Sequence, residues 1–220
     1  MLYPSCPRAA LFVLSQLFAL AFATIYPYDY ASLSCPSSAL SALLTPTYGD
    51  QGKVFTVCSS IEVNAPPSAV RDAVLGFGAY SAWNSFVVSV SLPSGVAAAA
   101  TPQGDYVGMP MVFTTTGLVW GFNTTSNEIL TVLDYEAVGD DGRPYLMVAW
   151  RYDDGLAGLG ARAEHPVVIV DLGNGSSSVV SWETYYVGLE TGLIALLRSK
   201  LQAQFEAQSA DLKAYVEGLL

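Results

Sequence analysis

Residues 60–70 read Ser60-Ile61-Glu62-Val63-Asn64-Ala65-Pro66-Pro67-Ser68-Ala69-Val70, and the fold assignment depends on this stretch. From Lys53 onward, two sets of side chains alternate as they do in a β-strand. Ala65-Pro66-Pro67 ends the strand, and proline suits the first turn of a helix. Apolar residues then follow at the helical spacing i, i+3, i+4, i+7: Val70, Ala73, Val74 and Phe77. The stretch therefore predicts a strand that leads directly into a short amphipathic helix.

The middle of the chain predicts six further strands. Each segment is rich in Val, Thr, Tyr, Phe and Trp, and turn signals of Gly, Pro, Asn and Asp separate most of them. The segments are 86–92, 109–116, 128–137, 145–152, 163–172 and 177–187. Together with the first strand they predict a seven-stranded antiparallel meander.

The C-terminal region, from Thr191 to about Glu217, predicts one long helix. Its apolar stripe consists of Leu193, Leu197, Leu201, Phe205, Leu212, Val216 and Leu219. At 1.5 Å per residue the helix would reach about 40 Å, which is enough to cross a sheet. A helix with one wide apolar face must bury that face. We therefore expect it to pack against the concave side of the strands.

This order of a strand, two short helices, six strands and a long helix is that of the helix-grip fold. Residues 60–70 resemble the opening of the START-like (SRPBCC) polyketide cyclase/dehydrase superfamily. Three later segments are similar to further motifs of that superfamily: 77–87 (aromatic-x-x-Tyr-x-x-Trp-Asn-x-Phe), 164–188 (the last hairpin) and 205–213 (the end of the final helix). The resemblance covers roughly residues 53 to 217. It implies an α+β fold in which a seven-stranded antiparallel sheet wraps around the C-terminal helix.

The resemblance also implies an elongated, mostly apolar cavity that takes a lipid, sterol, quinone or polyketide. Some members of the superfamily carry the ligand, and others cyclise or dehydrate it. The first hypothesis is therefore a carrier of an apolar small molecule such as a lipid or secondary metabolite. The second is a cofactor-independent cyclase or dehydratase of natural-product biosynthesis. A structural or effector-like secreted protein with a filled interior is the third, and a connected void below about 300 Å³ would rule out the two binding hypotheses.

Two polar residues are candidates for chemistry. His165 is the only histidine, so any mechanism with a histidine base must use it. If His165 points inward it is a candidate catalytic acid or base; otherwise it is a structural or exposed histidine. Glu183 lies in a strand whose other face carries Trp182, Thr184 and Tyr186. Because the superfamily pattern turns that set inward, we expect Glu183 to face solvent.

Large side chains from the segments around the expected cavity are candidate ligand contacts. They are Trp83, Met111, Phe113, Trp120, Tyr135, Trp150, Tyr152, Trp182 and Tyr186. For each of them, plain core packing is the alternative. Together they predict a roomy apolar interior, because Tyr and Trp need a polar contact when they are buried.

The N-terminus has the layout of a secretory signal peptide over residues 1–23. The basic Arg8 precedes an apolar run, and Ala21-Phe22-Ala23 resembles a cleavage site. The run is shorter than the roughly 20 residues that span a bilayer, and an uncleaved signal anchor is the alternative. Residues 24–52 predict an irregular lead-in, and residues 53–220 the ligand-binding domain. We expect secretion or residence in the endomembrane lumen, with no membrane span in the mature chain.

Secretion is consistent with the cysteines and with two glycosylation motifs. Loss of Cys6 with the signal peptide leaves Cys35 and Cys58, which can form a disulfide in an oxidising compartment. Two free thiols are the alternative. Asn123 and Asn174 each begin an Asn-x-Ser/Thr motif and are candidate glycosylation sites.

The composition excludes several classes of function. Nine Lys and Arg against 19 Asp and Glu give a net charge of −10, which argues against a nucleic-acid partner. One histidine and three cysteines exclude a zinc cluster of His and Cys ligands. The Gly-rich residues 155–160 lack the setting of a dinucleotide site. We therefore expect neither a metal nor a cofactor, and the oligomeric state is left open.

Overall fold

The computed structural model of this chain describes residues 26–38, 41–97, 104–152 and 160–219. The predicted signal peptide, residues 1–23, lies outside these ranges. Seven strands are present: β1 (Lys53–Val63), β2 (Val87–Ser91), β3 (Pro110–Val119), β4 (Phe122–Val138), β5 (Pro144–Tyr152), β6 (Arg162–Asp171) and β7 (Ser177–Tyr186). The helices are α1 (Pro67–Leu75), α2 (Tyr80–Trp83), α3 (Ser94–Ala97), α4 (Thr191–Ala195) and α5 (Arg198–Gly218).

The strands form one curved sheet in the order β1-β7-β6-β5-β4-β3-β2, and all neighbours are antiparallel. Strands β2 to β7 therefore form the predicted meander, while β1 pairs with β7 at the other edge. Strand β1 ends at Val63, and α1 begins at Pro67, the favoured position for proline in a first helical turn. The strand-to-helix transition predicted from residues 60–70 is confirmed.

The C-terminal region differs from the prediction of one continuous helix. The helix is divided into the short α4 and the long α5, and α5 packs across the concave face of the sheet. Leu201, Phe205, Leu212 and Val216 of the predicted stripe are buried there. Leu193, by contrast, is 70% exposed. The apolar stripe therefore extends beyond the part of the sheet that can bury it.

The N-terminal lead-in covers the convex face of the sheet. Tyr30 and Leu33 pack with the outward-facing side chains Cys58, Ala137, Tyr145, Met147, Val168, Val170, Val180 and Trp182 in a second apolar core. The part of the sheet formed by β5, β6 and β7 is therefore buried on both faces, which explains why β6 is almost wholly buried along its length. The described residues between 37 and 44 contain no helix.

Hydrogen bonds fix the lead-in to the sheet. The backbone N–H of Leu43 donates to Thr56 Oγ1 at 2.9 Å, and the Leu43 carbonyl accepts from Thr184 Oγ1 at 2.8 Å. The indole of Trp182 donates to the Leu44 carbonyl at 3.1 Å. An irregular segment thus has its backbone groups satisfied by side chains of β1 and β7, as burial requires.

The disulfide between Cys35 and Cys58 is present, and it joins the lead-in to β1 with a Cα–Cα distance of 5.5 Å. The predicted pairing of these two cysteines is therefore confirmed. None of the helices in the described ranges is long and apolar enough to cross a membrane.

Replacing both bonded cysteines, Cys35→Ser with Cys58→Ser, should lower the free energy of unfolding by about 3 kcal/mol. The bond closes a loop with a sequence separation of 23 residues, and a loop of that size stabilises by about this amount in the chain-entropy model. Urea unfolding of the wild-type and double-variant proteins measures the difference. Two reactive thiols in the unreduced mature protein would show that the bond does not form.

Candidate functional site

A cavity of about 200 Å³ lies between the concave face of the sheet and helices α4 and α5. Its wall is mostly apolar and contains the rings of Phe86, Phe113, Trp150 and Phe205. Trp150 is central, because its ring centroid lies 5.8 Å from that of Phe113 and 4.4 Å from that of His165. A second, much smaller void of about 20 Å³ lies beside it, between Trp83 and Leu212.

The strand registers place the polar side chains of the wall in two adjacent rows. In one row Trp150 of β5 is opposite His165 of β6, which in turn is opposite Glu183 of β7. In the next row Glu128 of β4 is opposite Tyr152 of β5. On the neighbouring strands Ala163 of β6 is opposite Tyr185 of β7, which in turn is opposite Phe55 of β1. The sheet thus brings two carboxyl groups, an imidazole and two phenols to one concave surface.

His165 points inward and is held between two rings. Its centroid lies 4.4 Å from the Trp150 ring and 4.6 Å from the Phe205 ring. Its Nε2 is 2.8 Å from the Ser181 hydroxyl, to which it is hydrogen-bonded. Burial lowers the pKa of His165 to about 3, because a charged imidazole cannot be hydrated there. The ring is therefore neutral at ordinary pH and is a weak base, which favours a structural role in the wall.

Glu183 faces the cavity, so the expectation that it faces solvent is wrong. Its Oε2 accepts a hydrogen bond of 2.8 Å from the Tyr185 hydroxyl. Burial raises the pKa of Glu183 to about 7, against a smaller opposing effect of this hydrogen bond. The pKa of Tyr185 is raised as well, chiefly by burial and then by the Glu183 charge. Glu183 can therefore gain or lose a proton near neutral pH, which is the property of a general acid or base.

Trp182 and Tyr186 point away from the cavity, which corrects the predicted facing of β7. Both lie on the convex face beneath the lead-in, where the Tyr186 hydroxyl donates to the Gly49 carbonyl at 2.7 Å. The Tyr186 oxygen is also 2.9 Å from the Thr45 hydroxyl. These side chains are directed outward because the lead-in supplies both apolar cover and hydrogen-bond partners on that side.

Of the other predicted ligand contacts, Phe113, Trp150 and Tyr152 line the cavity. The other four lie outside the cavity, each in a different place. The ring of Trp83 stacks on Tyr215 and borders the smaller void; Met111 is buried in the core; Tyr135 lies under the Arg71 guanidinium; and Trp120 is 92% exposed in the β3–β4 turn. The aromatic content of the sequence therefore identified strands that surround the cavity, but not which face of each strand points into it.

Sequence reasoning missed Glu128, Glu183 and Tyr185 as members of one wall. Glu128 is only 7% exposed, which is uncommon for a carboxylate. The β1–β7 register contains a signal that could have found them, because Cys58 lies directly opposite Trp182. If Cys58 is bonded to a segment outside the sheet, Trp182 must lie on that outer face. Glu183 and Tyr185 must then point inward.

The candidate glycosylation sites are both on the surface. Asn123 is exposed near the start of β4. Asn174 is exposed in the β6–β7 turn, where its Oδ1 accepts from the Ser176 backbone N–H at 3.1 Å and from the Ser176 hydroxyl. Glycosylation of either residue stays a prediction. Within the described ranges, no group of three or more His, Cys, Asp and Glu side chains could hold a metal ion.

Comparison with known proteins finds similarity in structure alone. No protein-family model matches the chain, and neither does any curated protein. A hypothetical protein of Helicobacter pylori matches 83% of this chain and 99% of its own, at TM-score 0.59 and 11% identity. A START superfamily protein of Mycobacterium smegmatis matches 75% and 99%, at TM-score 0.51 and 16% identity. Norcoclaurine synthase of Thalictrum flavum, as a point mutant in complex with a transition-state analogue, matches 77% and 99%, at TM-score 0.52 and 14% identity.

These similarities, together with the seven-stranded sheet and the C-terminal helix, show that the chain has the START-like helix-grip fold. The α+β architecture expected from the sequence is confirmed. At such low identities the similarity shows the fold alone, and function must be argued from the cavity.

The pKa values of the wall predict two opposite pH effects on stability. The folded state keeps the Glu183 proton up to about pH 7, whereas the unfolded chain releases it near pH 4.5. Stability that depends on Glu183 is therefore complete below pH 4.5 and is lost as the pH rises to about 7. The slope approaches about 1.4 kcal/mol per pH unit. The difference in unfolding free energy between wild type and Glu183→Gln, measured in urea at several pH values, should show this trend.

The contribution of His165 to the free energy of unfolding should change with pH in the opposite direction to that of Glu183. The unfolded state binds a proton near pH 6.5, whereas the folded state binds one only near pH 3. Stability that depends on neutral His165 is therefore complete above pH 6.5 and is lost as the pH falls to about 3. The difference between wild type and His165→Gln over pH 3 to 6.5 measures this trend. A difference that does not vary with pH would mean that His165 is accessible to water.

Proposed function

We propose that this chain binds a small, largely apolar molecule in the cavity between its sheet and α5. The observation that carries the proposal is the interior void itself, which is bounded by Phe86, Phe113, Trp150 and Phe205. Protein interiors contain few voids larger than a water molecule, so an apolar space of about 200 Å³ between the sheet and the C-terminal helices suits a small ligand.

The size of the cavity restricts the ligand. At about 200 Å³ it falls below the roughly 300 Å³ that the binding hypotheses required, so a drug-sized ligand is excluded. A fused-ring sterol or a long polyketide exceeds this space. We retain ligand binding because ionisable side chains converge on the void, whereas a purely structural interior would exclude them. The ligand is therefore a compact molecule of one or two rings, or an aliphatic molecule of similar volume.

A carrier is the simplest form of this function. The cavity would shield the ligand from water, and secretion would bring the complex out of the cell. The signal-like N-terminus and the two Asn-x-Ser/Thr motifs support the secreted or lumenal localisation. The Cys35–Cys58 disulfide is consistent with it, because such bonds persist in oxidising compartments.

An enzyme that cyclises or dehydrates its substrate without a cofactor is the second candidate, favoured by the Glu183–Tyr185 hydrogen bond. Glu183 would transfer a proton near neutral pH, and the Tyr185 hydroxyl would orient its carboxyl group. The aromatic wall would exclude water and hold a flexible substrate in a reactive conformation. The imidazole of His165, which was the first candidate for this chemistry, is too weak a base to be the main proton acceptor.

Native mass spectrometry of the protein secreted by its own host tests ligand binding. We expect the wild-type protein to carry a small molecule that Ala163→Phe loses, because Ala163 lines the cavity and a ring there would fill it. The matched control is Ala203→Phe, on the exposed side of α5. The proposal is wrong if the wild-type protein carries no small molecule. It is also wrong if both variants retain the ligand equally.

Incubation of the purified protein with small-molecule extracts of the host separates enzyme from carrier. An enzyme should convert at least one compound, and Glu183→Gln should slow the conversion by about 10²- to 10⁴-fold, the contribution of one general acid or base. Tyr185→Phe should slow it less, while His165→Gln should leave most of it. Binding without conversion identifies a carrier, and conversion unaffected by Glu183→Gln would contradict the proposed role of that residue.

A further inference from the structure

We propose that the cavity is selective for a small organic cation, an amine carried on an apolar body. The inference rests on the proposed ligand-binding function and names the chemical class of its ligand. It is based on the charges, the hydrogen-bonding groups and the rings of the cavity wall.

The charged side chains of the wall are all of one sign. Glu128, Glu183 and Glu190 line the cavity, and no lysine or arginine does so among the described residues. Glu128 and Glu183 lie on the same part of the wall, near the Tyr185 hydroxyl. The negative charge of each therefore raises the pKa of that hydroxyl. Glu190 is exposed and lies at the open end of the cavity. A ligand that enters therefore meets carboxylates at the mouth and in the interior.

Basic side chains next to the cavity are directed elsewhere. The Arg198 guanidinium donates to the Thr56 carbonyl at 3.1 Å and lies over the Phe55 ring. The Lys200 ammonium donates to the Leu118 carbonyl at 3.1 Å. The Arg162 guanidinium lies over the Tyr48 ring on the convex side. None of these groups supplies a positive charge inside the wall, so the interior carboxylates favour a ligand that does.

The wall contains hydrogen-bond acceptors that suit an ammonium group. Besides the carboxylates, Gln208 lines the cavity, and its buried Oε1 has no hydrogen-bond partner among the described residues. The hydroxyls of Thr115 and Thr124 are 2.7 Å apart and bond to each other. A protonated amine offers only donors, so it matches this surface. A carboxylate ligand would add a like charge and further acceptors.

Aromatic rings complete the match. Phe113, Trp150 and Tyr152 share the cavity with the carboxylates. Ring faces attract ammonium groups, and the attraction is greatest where water is excluded. An interior ion pair is favourable only when its geometry and hydrogen bonds are good. Carboxylates, an unpaired amide oxygen and rings together provide these conditions for one ammonium group on a compact apolar body.

Three probes of the same shape and different charge test the inference: benzylamine, benzyl alcohol and benzoate. Binding is measured by isothermal titration at about pH 8, where Glu183 is ionised and the amine is protonated. We expect benzylamine to bind at least about tenfold more tightly than benzyl alcohol, as for a hydrogen bond to a charged group. Benzoate should bind most weakly. Glu183→Gln should remove most of the preference for the amine by weakening benzylamine binding more than benzyl alcohol binding.

Glu136→Gln is the matched control, because Glu136 is exposed on β4 outside the cavity. It should leave all three affinities unchanged. If it weakens benzylamine as much as Glu183→Gln does, the amine is attracted to the acidic surface and the inference is overturned. Equal binding of benzylamine and benzyl alcohol overturns the inference but leaves the ligand-binding function standing. If none of the three probes binds, both the inference and the proposed function fail.

Discussion

Burial of both faces of β5, β6 and β7 is the constraint on which the other features of the structure depend. The concave face is covered by α5, and the convex face by the lead-in with its own apolar core. Each cover buries a different set of alternating side chains, so the two covers together decide which side chains of β5, β6 and β7 point inward. The lead-in is irregular, and the disulfide and the side chains of β1 and β7 hold it in place.

The character of the cavity follows from this division. On β7, the convex cover takes up Trp182 and Tyr186, which find apolar contacts and carbonyl partners under the lead-in. The alternate positions, Glu183 and Tyr185, are left for the concave side, where α5 keeps water away from them. A carboxyl group is thus retained in an apolar wall, and burial, opposed in part by the hydrogen bond from Tyr185, raises its pKa to about 7. The acid–base properties of the concave wall therefore depend on which side chains of β7 the lead-in buries on the convex face.

Much of the fold was predictable because strand and helix periodicity depend on local spacing, and because proline marks the end of β1 at residues 65–67. The facing of β7 was not predictable from its own sequence, since both of its faces carry aromatic residues. Facing depends on the disulfide and the lead-in, which are contacts distant in sequence. The division of the C-terminal helix and the exposure of Trp120 were missed for a related reason. Apolar patterning does not indicate where the partner surface ends.

The pairing of β1 with β7 has a consequence for how the chain reaches this structure. The first strand of the domain hydrogen-bonds to the last, with Lys53 opposite Tyr186, so this edge of the sheet consists of contacts that are distant in sequence. Such contacts form slowly, because much chain entropy is lost before they stabilise the fold. During synthesis β1 must remain unpaired until β7 has emerged. We expect molecular chaperones to shield β1 until β7 is available to pair with it.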